Sequence, residues 1–341
     1  MIERTVTGRK GHESNRQSLA SRFMVPGLAL ALLGCMTLLW IPLPSPTILR
    51  KVFYDFCHVP LFGGVALILL YLARQLGEPR GWSVGSQYGL AFIGAVILGA
   101  LAEGMQSFNS SRFAEWSDFL LNVLGAVGAL GLSFTYDPRF TGCVATWRLA
   151  PKKYLVHAGV GLLVVIALSP VVVWTYAYWD RAIRFPSLVQ FSSAWEMMFV
   201  NGRDCAVEIV SPPSGWKKSQ VDTVGHMMCY PAHYPGIRLE ESYPDWRGFS
   251  HFRVDVYSEL PVARSLTIRI DDAHHNHDYA DRFNQTVTIS PGLNHIHIPL
   301  EDIRHAPVGR ELDLSAIKTV SLFAIDPPEE FSLYVDNIRL E

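Results

Sequence analysis

Residues 101–131 read L-A-E-G-M-Q-S-F-N-S-S-R-F-A-E-W-S-D-F-L-L-N-V-L-G-A-V-G-A-L-G, two apolar helical segments joined by a short polar turn. Inside the apolar parts sit Glu103, Gln106, Asp118 and Asn122. Glu103 and Gln106 are three apart; Asp118 and Asn122 are four apart, with Gly125 three further on. Each set therefore lies along one helix face. Ionisable groups at membrane depth are costly, so they face a bundle interior or a wet cavity. The spacing thus predicts a transmembrane hairpin with an inward polar face.

Composition extends this reading to the whole chain. Its 341 residues are 49% hydrophobic, and the mean hydropathy is +0.18, too apolar for an ordinary soluble enzyme. Residues 1–179 carry 14 Lys/Arg against 8 Asp/Glu, whereas residues 180–341 carry 15 against 23. A basic apolar half followed by an acidic polar half indicates a membrane domain joined to a water-exposed one. The acidic half would repel phosphates, which excludes nucleic acid as a partner.

Residues 1–22 form a basic cytoplasmic tail with Arg4, Arg9, Lys10, Arg16 and Arg22. Apolar stretches long enough to span follow at Met24–Ile41, Val52–Ala73, Gly85–Ser107, Trp116–Phe134 and Tyr154–Tyr178. A cleaved signal peptide competes for the first of these. Its length, and the Pro42-Leu-Pro-Ser-Pro46 sequence after it, favour an uncleaved helix. Trp40, Trp116, Trp174 and Trp179 lie near span ends, as an aromatic belt requires. With the N-terminus inside, the cytoplasmic segments hold 11 Lys/Arg and the short external loops hold 3, namely Arg50, Lys51 and Arg112. That asymmetry predicts a multi-pass membrane protein with its C-terminal half extracytoplasmic; the resemblance given below implies that the membrane is a bacterial inner membrane. The expected layout is a four-span domain over 23–135, a cytoplasmic loop over 136–153, a fifth helix over 154–179 and an external domain over 180–341.

In the last half the period changes to two. Phe252–Tyr257, Leu266–Ile270, Val287–Ile289, His295–Ile298, Val320–Phe323 and Leu333–Ile338 alternate apolar with polar residues between Pro/Gly/Asp turns. Eight or so such strands predict an all-β jelly-roll sandwich behind the all-α bundle. Residues 180–204 read as a linker and first turn, with Trp195 and Phe199 as candidates to dock on the domain. Of five cysteines, Cys205 and Cys229 are the only pair in this half. They are either bridged in an oxidising compartment or two buried thiols.

Two resemblances follow from particular residues. Asp55-Phe-Cys-His58, Glu103-Gly-Met-Gln106-Ser-Phe108, Arg112, Asp118, Asn122-Val-Leu-Gly125 and Gly128 resemble the VanZ-like family of small bacterial membrane proteins. The likeness covers about residues 25–135. It implies a multi-span protein linked, in the founding member, to glycopeptide resistance, with no assigned reaction. The sequence departs from that family at Phe56, where Lys or Arg is usual. Trp246-Arg-Gly-Phe-Ser, Ile268-Arg-Ile-Asp-Asp-Ala, Asp281-Arg-Phe-Asn284, Pro291-Gly-Leu-Asn and Tyr334-Val-Asp-Asn-Ile-Arg-Leu are similar to galactose-binding-like jelly rolls of the carbohydrate-binding-module type. That resemblance implies a glycan partner and a structural calcium, for which Glu208 and Asp336 are the nearest ligands.

Two constellations carry the functional expectations. Asp55, His58, Glu103, Gln106, Arg112, Asp118 and Asn122 are expected near the outer leaflet. They form either a packing network, a grip on a lipid or precursor headgroup, or an acid–base site with Glu103 or Asp118 as base and Arg112 as anion clamp. The run from Asp271 to Asn284 holds three His and four Asp. It is either a solvated loop or part of a sugar site using Asp272, His275, Tyr279 and Arg282, with Trp246 and Trp216 as stacking platforms or core. The functions left open are an envelope glycan-binding membrane protein, an enzyme acting on a lipid-linked envelope precursor, and a structural anchor for other envelope proteins.

Overall fold

The computed structural model describes residues 47–106, 115–139, 150–216 and 222–341, with a few isolated positions between 27 and 37. The tail over 1–22, the expected span Met24–Ile41 and much of the 136–153 loop lie outside the described residues, as does Arg112. The chain divides into two compact units, Met1–Trp174 and Thr175–Glu341.

In the first unit, α1 (Ile48–Gly77), α2 (Val84–Gln106), α3 (Trp116–Tyr136) and the greater part of α4 (Ala150–Arg184) follow one another. All four are long and apolar enough to cross a membrane. Thr47 caps α1 by accepting from the Arg50 amide. The faces that pack together are built largely of small residues: Ala66, Ala73, Ala91, Ala95, Ala102 and Ala126 are buried. Large apolar side chains point the other way, as Leu67, Leu90, Ile93, Ile97 and Leu101 do. This inversion of the soluble-protein pattern is what a lipid surround requires, because lipid tails solvate large apolar groups while small residues let backbones approach. Gly125 shows how close: a Cβ there would collide with the Val59 carbonyl of α1.

The second unit is an antiparallel β-sandwich. Its strands are β1 (Ser187–Val189), β2 (Val200–Arg203), β3 (Cys205–Val210), β4 (Val224–Cys229), β5 (Gly236–Glu240), β6 (His251–Ser258), β7 (Arg264–Asp272), β8 (Phe283–Ile289), β9 (Gly292–Pro299), β10 (Ile317–Phe323) and β11 (Phe331–Leu340). Short helices α5 (Ala194–Met197) and α6 (Leu300–Arg304) interrupt them. One sheet runs β3-β4-β11-β6-β9 with β1 beside β11, and the other runs β2-β5-β10-β7-β8. Alternation turns Val254, Val256, Leu333 and Val335 of the first sheet toward Ile237, Leu239, Ile268 and Leu322 of the second, forming one core.

All six expected strands are present. The linker expected over 180–204 is corrected. It contains β1, α5 and β2, and α4 continues to Arg184, while Phe199 is buried as its docking required. The reason is burial: β1 pairs with the closing strand, Ser187 opposite Arg339, and Leu188 and Val189 join the core. Cys205 and Cys229 are bridged, facing each other across the β3–β4 ladder.

Candidate functional sites

The first site lies at one end of the helical unit. Lys51, Asp55 and His58 follow one another along the first turns of α1, on one face. His58 is buried, and its Nδ1 is 2.8 Å from Asn122 Oδ1 of α3. Asn122 Nδ2 donates to Glu103 Oε1 of α2 at 3.5 Å. Because a carboxylate only accepts, this orients the carboxamide oxygen toward the imidazole, so Nδ1–H donates. One carboxamide thus links an imidazole to a carboxylate across three helices. Asp118 is buried one turn before Asn122. Nearer the helix ends, Lys51 Nζ lies 2.9 Å from Glu115 and 3.6 Å from Asp55. Lys51 thus brings a cation to this end of the bundle, at a position that the sequence analysis counted only as a loop charge. Its i,i+4 spacing to Asp55 was the available signal. Gln106 is the last residue of α2.

The other end of the same bundle is closed by a network that the sequence did not announce. Asp137, just past α3, is buried and takes ion pairs from Arg74 at 2.8 Å and Arg139 at 2.9 Å. Tyr88 of α2 donates to it at 3.2 Å. Hydrogen bonds from Arg139 hold its carboxyl down to about 2. These groups come from α1, α2 and the end of α3, so they fix how the helices meet.

The second site is a groove of about 510 Å³ on the outer face of the five-stranded sheet. The register explains it. Asn201, Arg238, Ser321, Arg269 and Asn284 face one another in turn across β2, β5, β10, β7 and β8. The next rung on that face is Arg203, Gly236, Phe323, Thr267 and Thr286. Tyr234, edge-on to Phe323, and Tyr279 and Arg282 also line the groove. The Arg282 guanidinium lies 5.2 Å over the Tyr279 ring. Burial and the neighbouring Arg269 charge lower the Arg282 pKa. A polar floor, aromatic rims and a span of five strands suit an extended polyhydroxylated ligand.

Of the sugar-site residues expected from sequence, Tyr279 and Arg282 reach this groove, and Tyr279 is 70% exposed. Trp246 does not: it is wholly buried, stacked on Phe252, with its indole N–H donating to the Tyr243 carbonyl. The stacking role is therefore corrected to a core role, and Trp216 is likewise buried. Asp272 and His275 are turned inward. Arg310 grips Asp272 at 2.6 and 3.0 Å and also pairs with Asp281. His275 Nδ1 donates to the Asp281 carbonyl at 2.9 Å. The Asp271–Asn284 run is thus a loop pinned by Arg310, whose partner Asp272 is 38 residues away. Glu208 is exposed on β3 and Asp336 is buried on β11, with β4 between them. Among the described residues, no group of three or more His, Cys, Asp or Glu is placed to hold a metal.

No family model matches the chain, and no curated protein matches it. The likeness to VanZ-like proteins rests on the residues quoted above. Among solved structures the chain is similar to an exo-beta-agarase at 15% identity and TM-score 0.38, covering 46% of this chain and 24% of that one. It is also similar to a family 11 carbohydrate-binding module from Clostridium thermocellum, solved with a beta-1,3-1,4-mixed-linked tetrasaccharide, at 17% identity and TM-score 0.35. That match covers 45% of this chain and 93% of the module. The chain spans about a quarter of the agarase's length.

Proposed function

We propose that this chain is an integral membrane protein of a bacterial cell envelope whose β-sandwich binds an envelope glycan in the groove of its five-stranded sheet. The observation that carries this reading is the rung Asn201–Arg238–Ser321–Arg269–Asn284, which lines up hydrogen-bonding side chains across five strands. An outward-facing sandwich is supported by the 11-to-3 Lys/Arg asymmetry and by the Cys205–Cys229 bridge, which suits an oxidising compartment. The bundle is read as VanZ-like, acting in envelope polysaccharide or glycopeptide-related processes. Full-length protein in lipid nanodiscs should be retained on an array of envelope polysaccharides; retention on none of them removes the glycan reading. A C-terminal alkaline phosphatase fusion should be active outside the cytoplasmic membrane, and an inactive fusion reverses the orientation.

A second reading is favoured by the His58–Asn122–Glu103 chain of hydrogen bonds. It makes the bundle an acid–base site for a lipid-linked precursor. Glu103→Gln should then abolish any glycopeptide-susceptibility phenotype of the wild-type gene while the protein still inserts. A mutant indistinguishable from wild type sinks this reading.

A further inference from the structure

The lining of the groove is charged in the opposite sense to the domain that carries it. Residues 180–341 have eight more acidic than basic residues, yet the groove is lined by Arg203, Arg238, Arg269 and Arg282 against the single acid Glu240. Four of the domain's 15 Lys/Arg therefore converge on one face of one sheet. The acids nearby cancel them only in part, and Arg203 lies 3.9 Å from Asp204 at the groove's edge. Glu240 and Asp271 lie on a flanking rung, Glu240–Thr319–Asp271, and Asp271 pairs with Arg269 alone at 3.0 Å. Among the described residues, the Arg238 guanidinium has only the Thr319 hydroxyl, at 3.3 Å. Among the described residues, buried Nε of Arg269, buried Nε of Arg282 and buried Oδ1 of Asn284 make no hydrogen bond. Arg238 and Arg282 thus have no carboxylate in ion-pair contact among the described residues, and guanidinium forks left so are donors awaiting planar anionic acceptors.

Resting on the glycan reading above, we infer that the ligand is an acidic oligosaccharide, whose carboxylate or sulfate groups are taken by Arg238, Arg269 and Arg282. Its sugar faces meet Tyr234 and Tyr279. The strand spacing sets the scale: four inter-strand steps of the rung cover roughly 19 Å, room for several sugar rings and not for one. The arrangement also separates two kinds of recognition. The aromatic rims and the Asn and Thr side chains read a sugar, while the arginines demand charge.

The test uses the full-length protein in neutral nanodiscs and two matched pairs of immobilised polymer, polygalacturonate with its methyl ester and dextran sulfate with dextran. At least one charged polymer should bind about tenfold or more tightly than its neutral partner, with affinity falling as salt rises. Arg238→Gln should cost about tenfold, because it removes a charge-assisted contact from a side chain with little structural duty. Arg247→Gln, outside the groove and paired with Asp245, should cost nothing. Equal binding within both polymer pairs overturns this inference and leaves the glycan reading standing, and an Arg238→Gln protein of undiminished affinity also overturns it. Polyglutamate binding as tightly as polygalacturonate overturns the saccharide part, and retention of no polymer overturns both readings. Unchanged thermal unfolding of Arg238→Gln separates lost binding from lost fold.

Discussion

Asp336 and Asp272 are both buried carboxylates, and their surroundings act on them in opposite directions. Asp272 has a two-pronged partner in Arg310 and two backbone donors, so its pKa is lowered despite burial. Asp336 has the Asn337 amide but faces Asp255 and Glu196, and burial pushes it up to about 7. The pH consequences follow from which state holds the proton. Between the ordinary carboxylate range and pH 7 the folded protein keeps a proton on Asp336 that the unfolded chain has lost. Stability therefore falls as pH rises through that window, by on the order of 4 kcal/mol at most. Asp272 contributes stability above the unfolded carboxylate pKa that is lost as pH falls through its own lowered value. Asp336→Asn should accordingly raise the melting temperature at pH 8 and change it little at pH 4; equal effects at both would contradict this origin. Arg310→Met leaves Asp272 buried without its counter-charge and should cost about 3 kcal/mol in urea unfolding, with Asp272→Asn partly restoring it. Residue identity alone could not have separated these cases, or told Trp246 in the core from Tyr279 at the groove. A tryptophan and a tyrosine next to polar residues look alike until burial is known.

At the scale of elements, the helices were legible and their mutual placement was only partly so. The spacing of Asp118, Asn122 and Gly125 predicted one face of α3, and that face is the one packed on α1. Gly125→Ala should force α1 and α3 apart at Val59, at a cost of about 2 kcal/mol, seen as lower yield of monodisperse protein in detergent. Gly64→Ala, where an added Cβ meets no described atom within 4 Å, is the control and should behave as wild type. The Asp137 network escaped notice because Arg74 is 63 residues away, and the nearby Arg139 alone does not reveal that the carboxylate is buried between helices. The groove escaped for a similar reason. Its rung joins strands in the order β2-β5-β10-β7-β8, and no short window of sequence contains two neighbours of that order except β7 and β8.

On the scale of the whole molecule, the two halves follow different solvent rules. The helical unit exposes large apolar side chains such as Ile93 at 55% and Leu120 at 59%. The sandwich hides its own, with Ile268, Ile270 and Val320 all at 0%. Exposure on that scale around helices of 21 to 35 residues is stable in lipid and not in water. The chain should therefore remain in the membrane pellet after alkaline carbonate extraction, and release into the supernatant would contradict the membrane assignment. Trp116 and Trp179, 82% and 54% exposed near the ends of α3 and α4, occupy the positions an interfacial belt requires.

The amino-acid sequence by itself determined the kind of each half: runs of apolar residues long enough to span, then period-two alternation, with a change in charge sign between them. It also determined which face of α3 carries its polar groups, because a helix face is set by spacing within one turn or two. The tertiary structure alone decided that Cys205 meets Cys229, that Arg310 pins the Asp271–Asn284 run, and that Arg238 and Arg269 stand on one rung. Those facts depend on strand order and register, which are selected by burying the shared core and not by any local pattern.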